Sequence, residues 1–333
     1  MTNLTIRFDL RRPPFSKATM AELYAACLDQ CEWADRHGFD TVVLSEHHGV
    51  EDGYLPSPLV MAAAIGARTS RMHISISALL VPLHDPLRLA EDVAVADLAS
   101  GGRVSLVAGL GYRDAEFEMF GVDARSRGKA AEEAIAVMRR AWTGEPFEYR
   151  GATVRVTPTP LQRPHPPVLM GGSSETAARR AARLGLPFLP AIGDPALAAA
   201  YQEECERVGF GEGFVLLPSG PAFLHVTEDP ERAWAEIAPH ALYDSQTYAS
   251  WQRPGQRSVV TTGASTAEEL RQTGVYAVVT PEQCLEMVER QGVGGLVFHP
   301  LMGGLSPELG WESLELFASK VLPRLPGRAP AAT

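Results

Sequence analysis

The chain has 333 residues, of which 45% are hydrophobic and 21% charged. This composition is typical of a folded globular protein and excludes disorder over most of the chain. Its 30 Lys and Arg residues are outnumbered by 40 Asp and Glu residues, giving a net charge of −10. Because no local basic patch offsets that charge, nucleic acid is not an expected partner.

The first ten residues lack the basic and apolar regions of a secretory signal, so we expect a cytoplasmic protein. No apolar run reaches the roughly 18–20 residues that span a bilayer, so membrane association is not expected either. Four cysteines are too few for a disulfide scaffold. We expect Cys27 and Cys31, four residues apart in a helical pattern, to be small core residues.

Short β-rich runs alternate with longer amphipathic segments along the chain. The predicted strands cover residues 4–10, 41–44, 73–81, 103–109, 168–170, 187–192, 214–226 and 294–299. The predicted helices cover residues 20–37, 58–69, 86–99, 128–142, 175–184, 195–208, 230–242, 281–291 and 307–322. A β-rich excursion is predicted at residues 147–156.

Eight βα units can be counted, and no reversal of strand order is readable, which favours a (β/α)8 TIM barrel over an open doubly wound sheet. We expect one barrel domain over residues 1–326 and a frayed tail over 327–333. Residues 243–279 are polar with few periodic apolar positions. They are interpreted as an insertion at the C-terminal face that covers the active site, or alternatively as a disordered surface loop.

Glu46, His47 and His48 directly follow the second predicted strand, at the face where barrels carry their active sites. Adjacent residues of an extended segment point in opposite directions, so the two histidines are poorly placed to bind one metal ion together. The familiar zinc spacings are also absent, and no metal site is expected. One histidine could act as an acid or base or bind a cofactor, or could be structural.

The third predicted strand has unusually small side chains, in the sequence Ile74-Ser75-Ile76-Ser77-Ala78. A flat ring could lie against such a strand. An ordinary barrel layer that alternates large and small residues explains the pattern equally well.

The segment Gly171-Gly172-Ser173-Ser174 joins the strand that ends at Met170 to a predicted helix. Glycines permit close backbone approach, hydroxyls add donors, and the first helical amides point outward, which together suit a phosphate. A simple helix cap would explain one serine but not the whole segment. Arg127, just before another helix, is a second phosphate ligand or a solvated surface residue.

Gly109-Leu110-Gly111-Tyr112 follows the fourth predicted strand. It is not a dinucleotide fingerprint, because Asp114 replaces the third glycine. We interpret it as a loop over a pocket.

Several motifs in a fixed order resemble the bacterial luciferase-like flavin-dependent oxidoreductases. They are Ser45-Glu46-His47-His48, Pro56-Ser57-Pro58, the segment Pro82-Leu83-His84-Asp85-Pro86 with the helix that follows, Gly101-Gly102-Arg103, Glu116-Phe117-Glu118-Met119-Phe120-Gly121 and His299-Pro300-Leu301. The resemblance covers roughly residues 1–190 and 275–322. It implies a (β/α)8 barrel with insertions, a flavin at the C-terminal face, and usually a dimer.

The resemblance makes His47 the active-site histidine and His48 its neighbour, the two catalytic candidates. It also implies a non-prolyl cis peptide between Ser77 and Ala78 beneath the flavin ring, and a flavin phosphate site at Arg127 and the turn from Gly172 to Ser174. With the readings above, the predicted cofactor contacts are Ser77, Ala78, Gly109, Tyr112, Arg127, Met170, Gly171, Gly172, Ser173 and Ser174.

The leading hypothesis is a two-component monooxygenase that takes reduced FMN from a separate NAD(P)H:flavin reductase and uses O2 to oxygenate a small organic substrate. His47 would stabilise or protonate the oxygen adduct. A homodimer is expected. Gly109 and Leu110 replace a reactive cysteine and an arginine of luciferase, so light emission is not implied. An apolar substrate pocket could include Phe8, Tyr112, Tyr248 and Trp251.

Three other hypotheses remain open from the sequence. The same fold and cis peptide occur in enzymes that transfer hydride with the deazaflavin coenzyme F420. A non-catalytic flavin-binding protein, or a barrel that acts on phosphorylated metabolites by acid/base chemistry, would also use the phosphate turn.

Overall fold

The computed structural model describes residues 2–253, 255–289 and 292–327. Its strands are β1 Asn3–Phe8, β2 Thr41–Leu44, β3 His73–Leu80, β4 Val104–Gly109, β5 Phe147–Tyr149, β6 Ala152–Val154, β7 Val168–Gly172, β8 Phe188–Pro190, β9 Phe223–Val226, β10 Tyr276–Val279 and β11 Gly295–Phe298. Nine of them form one sheet in the order β10-β9-β11-β1-β2-β3-β4-β7-β8, and β5 and β6 form a separate hairpin. Every pairing in the large sheet is parallel.

Helices connect and cover the strands. They are α1 Met20–Arg36, α2 Pro58–Arg68, α3 Pro86–Ala99, α4 Asp114–Phe120, α5 Arg127–Ala141, α6 Glu175–Arg183, α7 Pro195–Val208, α8 Pro230–Trp251, α9 Ala267–Gln272, α10 Pro281–Glu289 and α11 Pro307–Leu316. Short 3-10 turns occupy Val81–Leu83, Met302–Gly304 and Leu322–Arg324, and a π turn occupies Phe317–Val321. No helix in the described residues combines the length and apolar character needed to cross a bilayer.

The predicted α/β fold, a parallel sheet with connecting helices, is confirmed. Consecutive strands from β1 to β4 are neighbours, and β11 returns to pair with β1, as barrel topology requires. At the other edge, residues 214–216 pair with the outer side of β8 through Phe188, whose N–H donates to the Phe214 carbonyl over 2.9 Å. Among the residues described, no hydrogen-bonded ladder joins β8 to β10.

The region 243–279 departs most from its prediction. The helix expected to end at residue 242 continues to Trp251, and the same region contains α9 and the additional strand β10. The end of α8 buries Ala241, Asp244, Ser245 and Tyr248 on one face. The residues of this face have helical spacing but are mostly polar. The sequence therefore lacks the apolar periodicity that would predict a helix here.

The helix predicted over 307–322 is present, with its last turn in π form from Phe317 to Val321. The strand predicted over 214–226 shortens to β9. Residues 290 and 291 of the predicted helix 281–291, and residues 328–333 of the predicted tail 327–333, lie outside the described residues. Cys27 and Cys31 are buried and unbridged, as expected.

Asp35, near the end of α1, fixes the chain that leads into β3. Its carboxylate accepts hydrogen bonds from the backbone N–H groups of Ser70, Arg71 and Met72 over 2.9, 2.9 and 2.6 Å. Burial by itself would raise the pKa of Asp35, but these hydrogen bonds outweigh it and lower that pKa. The ionised carboxylate therefore stabilises the folded state.

We expect Asp35→Ala to lower the free energy of unfolding by about 2–4 kcal/mol at pH 7, because three backbone donors lose a charged acceptor. Since the pKa of Asp35 is lower in the folded protein, its contribution is present above the unfolded pKa of about 3.9 and disappears as the pH falls through the folded value. Urea denaturation at pH 7 and at low pH measures both effects.

Asp29→Ala is a matched control, because Asp29 forms an exposed ion pair with Arg68. It should cost less than about 1 kcal/mol. Equal losses in the two variants would contradict the role assigned to Asp35.

Candidate active site

The C-terminal ends of β2, β3 and β4 bring the candidate catalytic residues together. Glu46, His47 and His48 follow β2, while Tyr112 and Glu116 follow β4 in the connection that forms α4. In a parallel sheet the C-terminal ends of all strands lie on the same side of the sheet. Side chains that are far apart in the sequence therefore meet there.

Glu116 is the centre of a buried hydrogen-bond network around His47. Its Oε1 lies 2.8 Å from Nδ1 of His47 and accepts hydrogen bonds from the His48 backbone N–H over 3.0 Å and from Arg113 over 3.0 Å. Arg113 also donates to the His48 carbonyl over 2.8 Å. With Nδ1 held by the carboxylate, Nε2 of His47 is directed to the other side of the ring, where the Tyr112 hydroxyl lies 3.3 Å away.

Burial and the carboxylate have opposite effects on His47. Burial is the larger influence and lowers the pKa of His47, while the hydrogen bond and negative charge of Glu116 offset it only in part. Burial would raise the pKa of Glu116, but its contacts with His47, the His48 N–H and Arg113 lower it. At neutral pH the geometry therefore pairs a neutral imidazole with an ionised carboxylate.

Aromatic rings surround the imidazole of His47. Its ring centroid is 4.8 Å from that of Tyr54, 4.9 Å from Trp251 and 5.5 Å from Tyr112. Tyr248 lies 6.1 Å away, and its hydroxyl is 2.7 Å from that of Tyr54. His47 is only 6% exposed, so these rings exclude water from most of its surface.

Tyr248 and Trp251 come from the end of α8. They belong to the region 243–279, which is predicted either to cover the active site or to form a disordered surface loop. The Arg113 guanidinium stacks over the Trp251 ring at 4.4 Å, which ties α8 to the loop after β4. Arg253 forms an ion pair with Asp114 nearby. Phe8, the other residue expected at the pocket, is buried at the C-terminal end of β1.

His48 faces a different set of partners from His47. Its Nε2 lies 3.0 Å from Oε1 of Glu46, and Nε2 of His84 lies 2.8 Å from the same oxygen. The second oxygen of Glu46 accepts the Leu80 N–H over 2.5 Å. The adjacent histidines thus contact separate carboxylates, in agreement with their expected opposite directions.

The ends of β3 and β4 form a surface of small side chains. The peptide bond between Ser77 and Ala78 is cis, and the Ser45 hydroxyl donates to the Ser77 carbonyl over 2.9 Å. A Cβ on Gly109 would lie 2.7 Å from the Cβ of Ala78, so a larger residue cannot be placed there without displacement. Ser77 and Ala78 remain partly exposed.

The turn after β7 also requires glycine. Gly172 has φ 152°, and a Cβ there would lie 2.4 Å from the Cβ of Ala177. Met170 is buried in β7 and pairs with Phe188, and Gly171 is buried beside Val107. The absence of a side chain at Gly171 and Gly172 therefore lets Val107 of β4 and Ala177 of α6 pack directly against the backbone of this turn.

Ser173 and Ser174 have different local roles. Ser174 is the N-cap of α6, and its hydroxyl accepts the Ala177 N–H over 3.3 Å. Ser173 Oγ accepts the Arg257 N–H over 3.4 Å, while the Arg257 side chain pairs with Asp194 at 2.7 Å. The turn thus lies under residues that follow α8.

Arg127 is the first residue of α5 and donates to the Ala124 carbonyl over 2.6 Å. The side chain of Arg180, from α6, extends to the first turn of α5. A Cβ added to Gly128 in that turn would lie 2.6 Å from Nη2 of Arg180. Its Nε donates to Glu132 over 2.8 Å. The structure therefore places a second guanidinium beside the predicted phosphate ligand.

Four polar residues of this region are not predicted from the sequence as partners of the candidate site residues, namely Arg113, Glu116, His84 and Arg180. Arg113 and Glu116 are three residues apart at the start of α4, and this spacing is the one signal in the sequence that they contact each other. Their importance depends on contact with the distant His47.

The chain matches one protein-family model and several curated proteins. The model of the family described as luciferase-like monooxygenase matches residues 8–295. Among curated relatives, the oxygenase component of the flavin-dependent trigonelline monooxygenase of Acinetobacter baylyi is 29% identical over 157 residues, covering 45% of this chain and 43% of the relative. The alkanal monooxygenase alpha chain of Photorhabdus luminescens is 31% identical over 157 residues, covering 46% and 44%. The matches thus span about half the length of the curated relatives.

Solved structures share the fold over nearly the whole chain. The monooxygenase RslO1 of Streptomyces bottropensis superposes with a TM-score of 0.77 at 24% identity, covering 97% of this chain and 99% of that one. The oxygenating constituent of 3,6-diketocamphane monooxygenase from Pseudomonas putida, in complex with FMN, gives 0.72 at 18% identity, covering 98% and 99%. An F420-dependent secondary alcohol dehydrogenase gives 0.69 at 16% identity, covering 97% and 98%.

We expect Glu116→Gln to lower the pKa of His47 further, because the substitution removes the negative charge that favours imidazolium. The shape of the side chain and a hydrogen bond to Nδ1 can be retained. Titration of the histidine ring resonances by NMR measures the shift.

Glu46→Gln is the matched control, since Glu46 contacts His48 and His84. It should leave the titration of His47 near its wild-type position. If the pKa of His47 is the same in the wild type and in Glu116→Gln, Glu116 does not control that pKa.

Proposed function

The chain belongs to the luciferase-like monooxygenase family, and we propose that it is the oxygenase component of a two-component flavin-dependent monooxygenase. It would receive reduced FMN from a separate NAD(P)H:flavin reductase and use O2 to oxygenate a small organic substrate. The observation that carries this proposal is the buried His47–Glu116 pair in an aromatic pocket, with the small-residue surface of β3 and β4 at the same end of the sheet.

The residues present suit a flavin. The partly exposed Ser77 and Ala78, with Gly109 against Ala78, offer a flat surface for the ring. Arg127 and the turn from Gly171 to Ser174, which leads into the N-terminus of α6, would hold its phosphate. Tyr112 and Met170 complete the proposed contacts. Bound reduced flavin would supply the two electrons that activate O2, so that one oxygen atom of O2 is transferred to the substrate and the other leaves as water.

His47 is proposed to hold or transfer a proton at Nε2, the ring nitrogen next to Tyr112. Glu116 fixes the ring through Nδ1 and stabilises positive charge on it. Tyr54, Tyr248 and Trp251 keep water away from the imidazole. A catalytic role for His48, which faces Glu46, stays a prediction.

Two further features of the assembly belong to this proposal. The relative described as an oxygenase component supports a reductase partner for this chain. We also propose that residues 1–326 act as one domain whose segment 243–279 covers the site, and that the protein is a homodimer, as in the family it resembles.

The alternative is hydride transfer with coenzyme F420. The fold is shared with an F420-dependent dehydrogenase, so the backbone alone does not discriminate between the cofactors. Both have a phosphate that the turn at Ser173 and Ser174 could bind. The His47 and His48 pair favours FMN.

An anaerobic fluorescence titration with reduced FMN and with reduced F420 tests the proposal. We expect tighter binding of reduced FMN. The double variant Ser173→Ala/Ser174→Ala should weaken FMN binding by about 10–100-fold, because hydrogen bonds to a charged phosphate are lost. It should leave riboflavin, which lacks the phosphate, nearly unaffected.

Ser306→Ala is the matched control for loss of a helix cap. Ser306 caps α11 over the same 3.3 Å distance that Ser174 uses for α6. FMN binding should be unchanged in this variant. Preference for reduced F420 would support the alternative, and equal loss of FMN and riboflavin would show that the serines do not bind the phosphate.

His47→Ala should reduce substrate oxygenation by about 10²-fold or more while leaving the affinity for reduced FMN unchanged, because the proton-transfer group is lost and the proposed flavin contacts remain. The amount of oxygenated product per reduced FMN, with hydrogen peroxide released in parallel, measures the effect. The control is His73→Ala, since His73 lies at the opposite end of β3 and contacts Ser105. Unchanged oxygenation in His47→Ala would remove His47 from the mechanism.

A further inference from the structure

Glu46, His48 and His84 form a second polar cluster, in the segments that follow the C-terminal ends of β2 and β3. Their ligand atoms all lie within 4.8 Å of one another. Oε1 of Glu46 is 3.0 Å from Nε2 of His48 and 2.8 Å from Nε2 of His84. Two imidazole nitrogens and one carboxylate oxygen therefore converge on a single point.

The separations at Glu46 are close to the spacing of ligands around one metal ion. Around a tetrahedral zinc ion, with metal–ligand bonds of about 2.0–2.1 Å, neighbouring ligand atoms lie about 3.3 Å apart, a few tenths of an ångström more than the distances from Glu46 to the two histidines. Imidazole and carboxylate ligands suit zinc, copper(II), nickel(II) and cobalt(II). The cluster has the ligand types and spacing of a three-residue divalent metal site.

The carboxylate of Glu46 is buried and held in position. Its Oε2 accepts the Leu80 N–H over 2.5 Å, which directs Oε1 towards both histidines. Glu91 and Asp92 of α3 line the same cavity as Glu46, together with one cation, Arg88. The cavity thus carries more acidic than basic side chains, which favours an incoming cation.

An ion can reach the cluster from outside the aromatic pocket. Glu46 and His84 line a cavity of about 650 Å³ between the start of α2 and helix α3. The His84 side chain is 29% exposed, while Glu46 and His48 are buried beneath it. This arrangement leaves coordination positions open on the cavity side.

We propose that Glu46, His48 and His84 form a binding site for one divalent transition-metal ion, coordinated by Oε1 of Glu46 and Nε2 of each histidine. Both Nε2 atoms must lose their protons. A neutral ring transfers its proton to Nδ1, and a protonated ring releases one proton to solvent. The ion would link the end of β2 to the turn after β3. From the sequence only the adjacent pair His47 and His48 could be weighed, because His84 follows a different strand.

Isothermal titration calorimetry of the chelator-treated, flavin-free protein with Zn²⁺ tests the site, and Co²⁺ provides a visible ligand-field spectrum. We expect one tightly bound ion per chain. His84→Leu should weaken binding by at least about tenfold and change the Co²⁺ spectrum. His73→Leu is the matched control, because His73 is outside the cluster and should leave binding intact.

The absence of Zn²⁺ binding to the wild-type chain would overturn the proposal. Equal Zn²⁺ binding by wild type and His84→Leu would also overturn it, since other histidines would then be the ligands. If circular dichroism shows that His84→Leu is unfolded, Glu46→Gln replaces it, with the same expected loss. Because no flavin is present, the result is independent of the proposed monooxygenase activity.

Discussion

The buried carboxylate of Glu116 imposes the constraint on which the active-site region depends. An ionised carboxylate with no exposure is costly unless charged or hydrogen-bonded partners surround it. Here the partners are the ring of His47, the backbone of His48 and the side chain of Arg113. All three partners contact Oε1, while Oε2 is buried without a hydrogen bond. Pairing one oxygen of this carboxylate therefore ties together His47, the chain after β2 and the loop after β4.

The same requirement explains why two adjacent histidines have separate surroundings. The extended segment after β2 sends His47 towards Glu116 and His48 towards Glu46. Each carboxylate recruits a further cation or donor, Arg113 in one case and His84 in the other. One short segment thus belongs both to the aromatic pocket and to the cavity between α2 and α3.

Closure of the aromatic pocket depends on the end of α8. Arg113, which binds Glu116, also stacks on Trp251. The network around His47 is therefore coupled to the segment that covers it, and a displacement of α8 would alter both the water exclusion and the position of Arg113. This coupling relates the proposed chemistry of His47 to the position of the end of α8.

The sequence by itself determined the parallel α/β architecture, because the alternation of apolar strands and amphipathic helices reflects local periodicity. It also identified the glycine turn of Gly171 and Gly172, because close approach and unusual φ values leave a local signature. It could not determine the end of α8, whose buried face carries Asp244, Ser245 and Tyr248 in place of apolar residues. Nor could it identify Glu116 and His84 as the partners of His47 and Glu46. Those pairings arise only when the C-terminal ends of separate strands are brought to one side of the sheet. The tertiary structure alone therefore decided which carboxylate contacts which histidine.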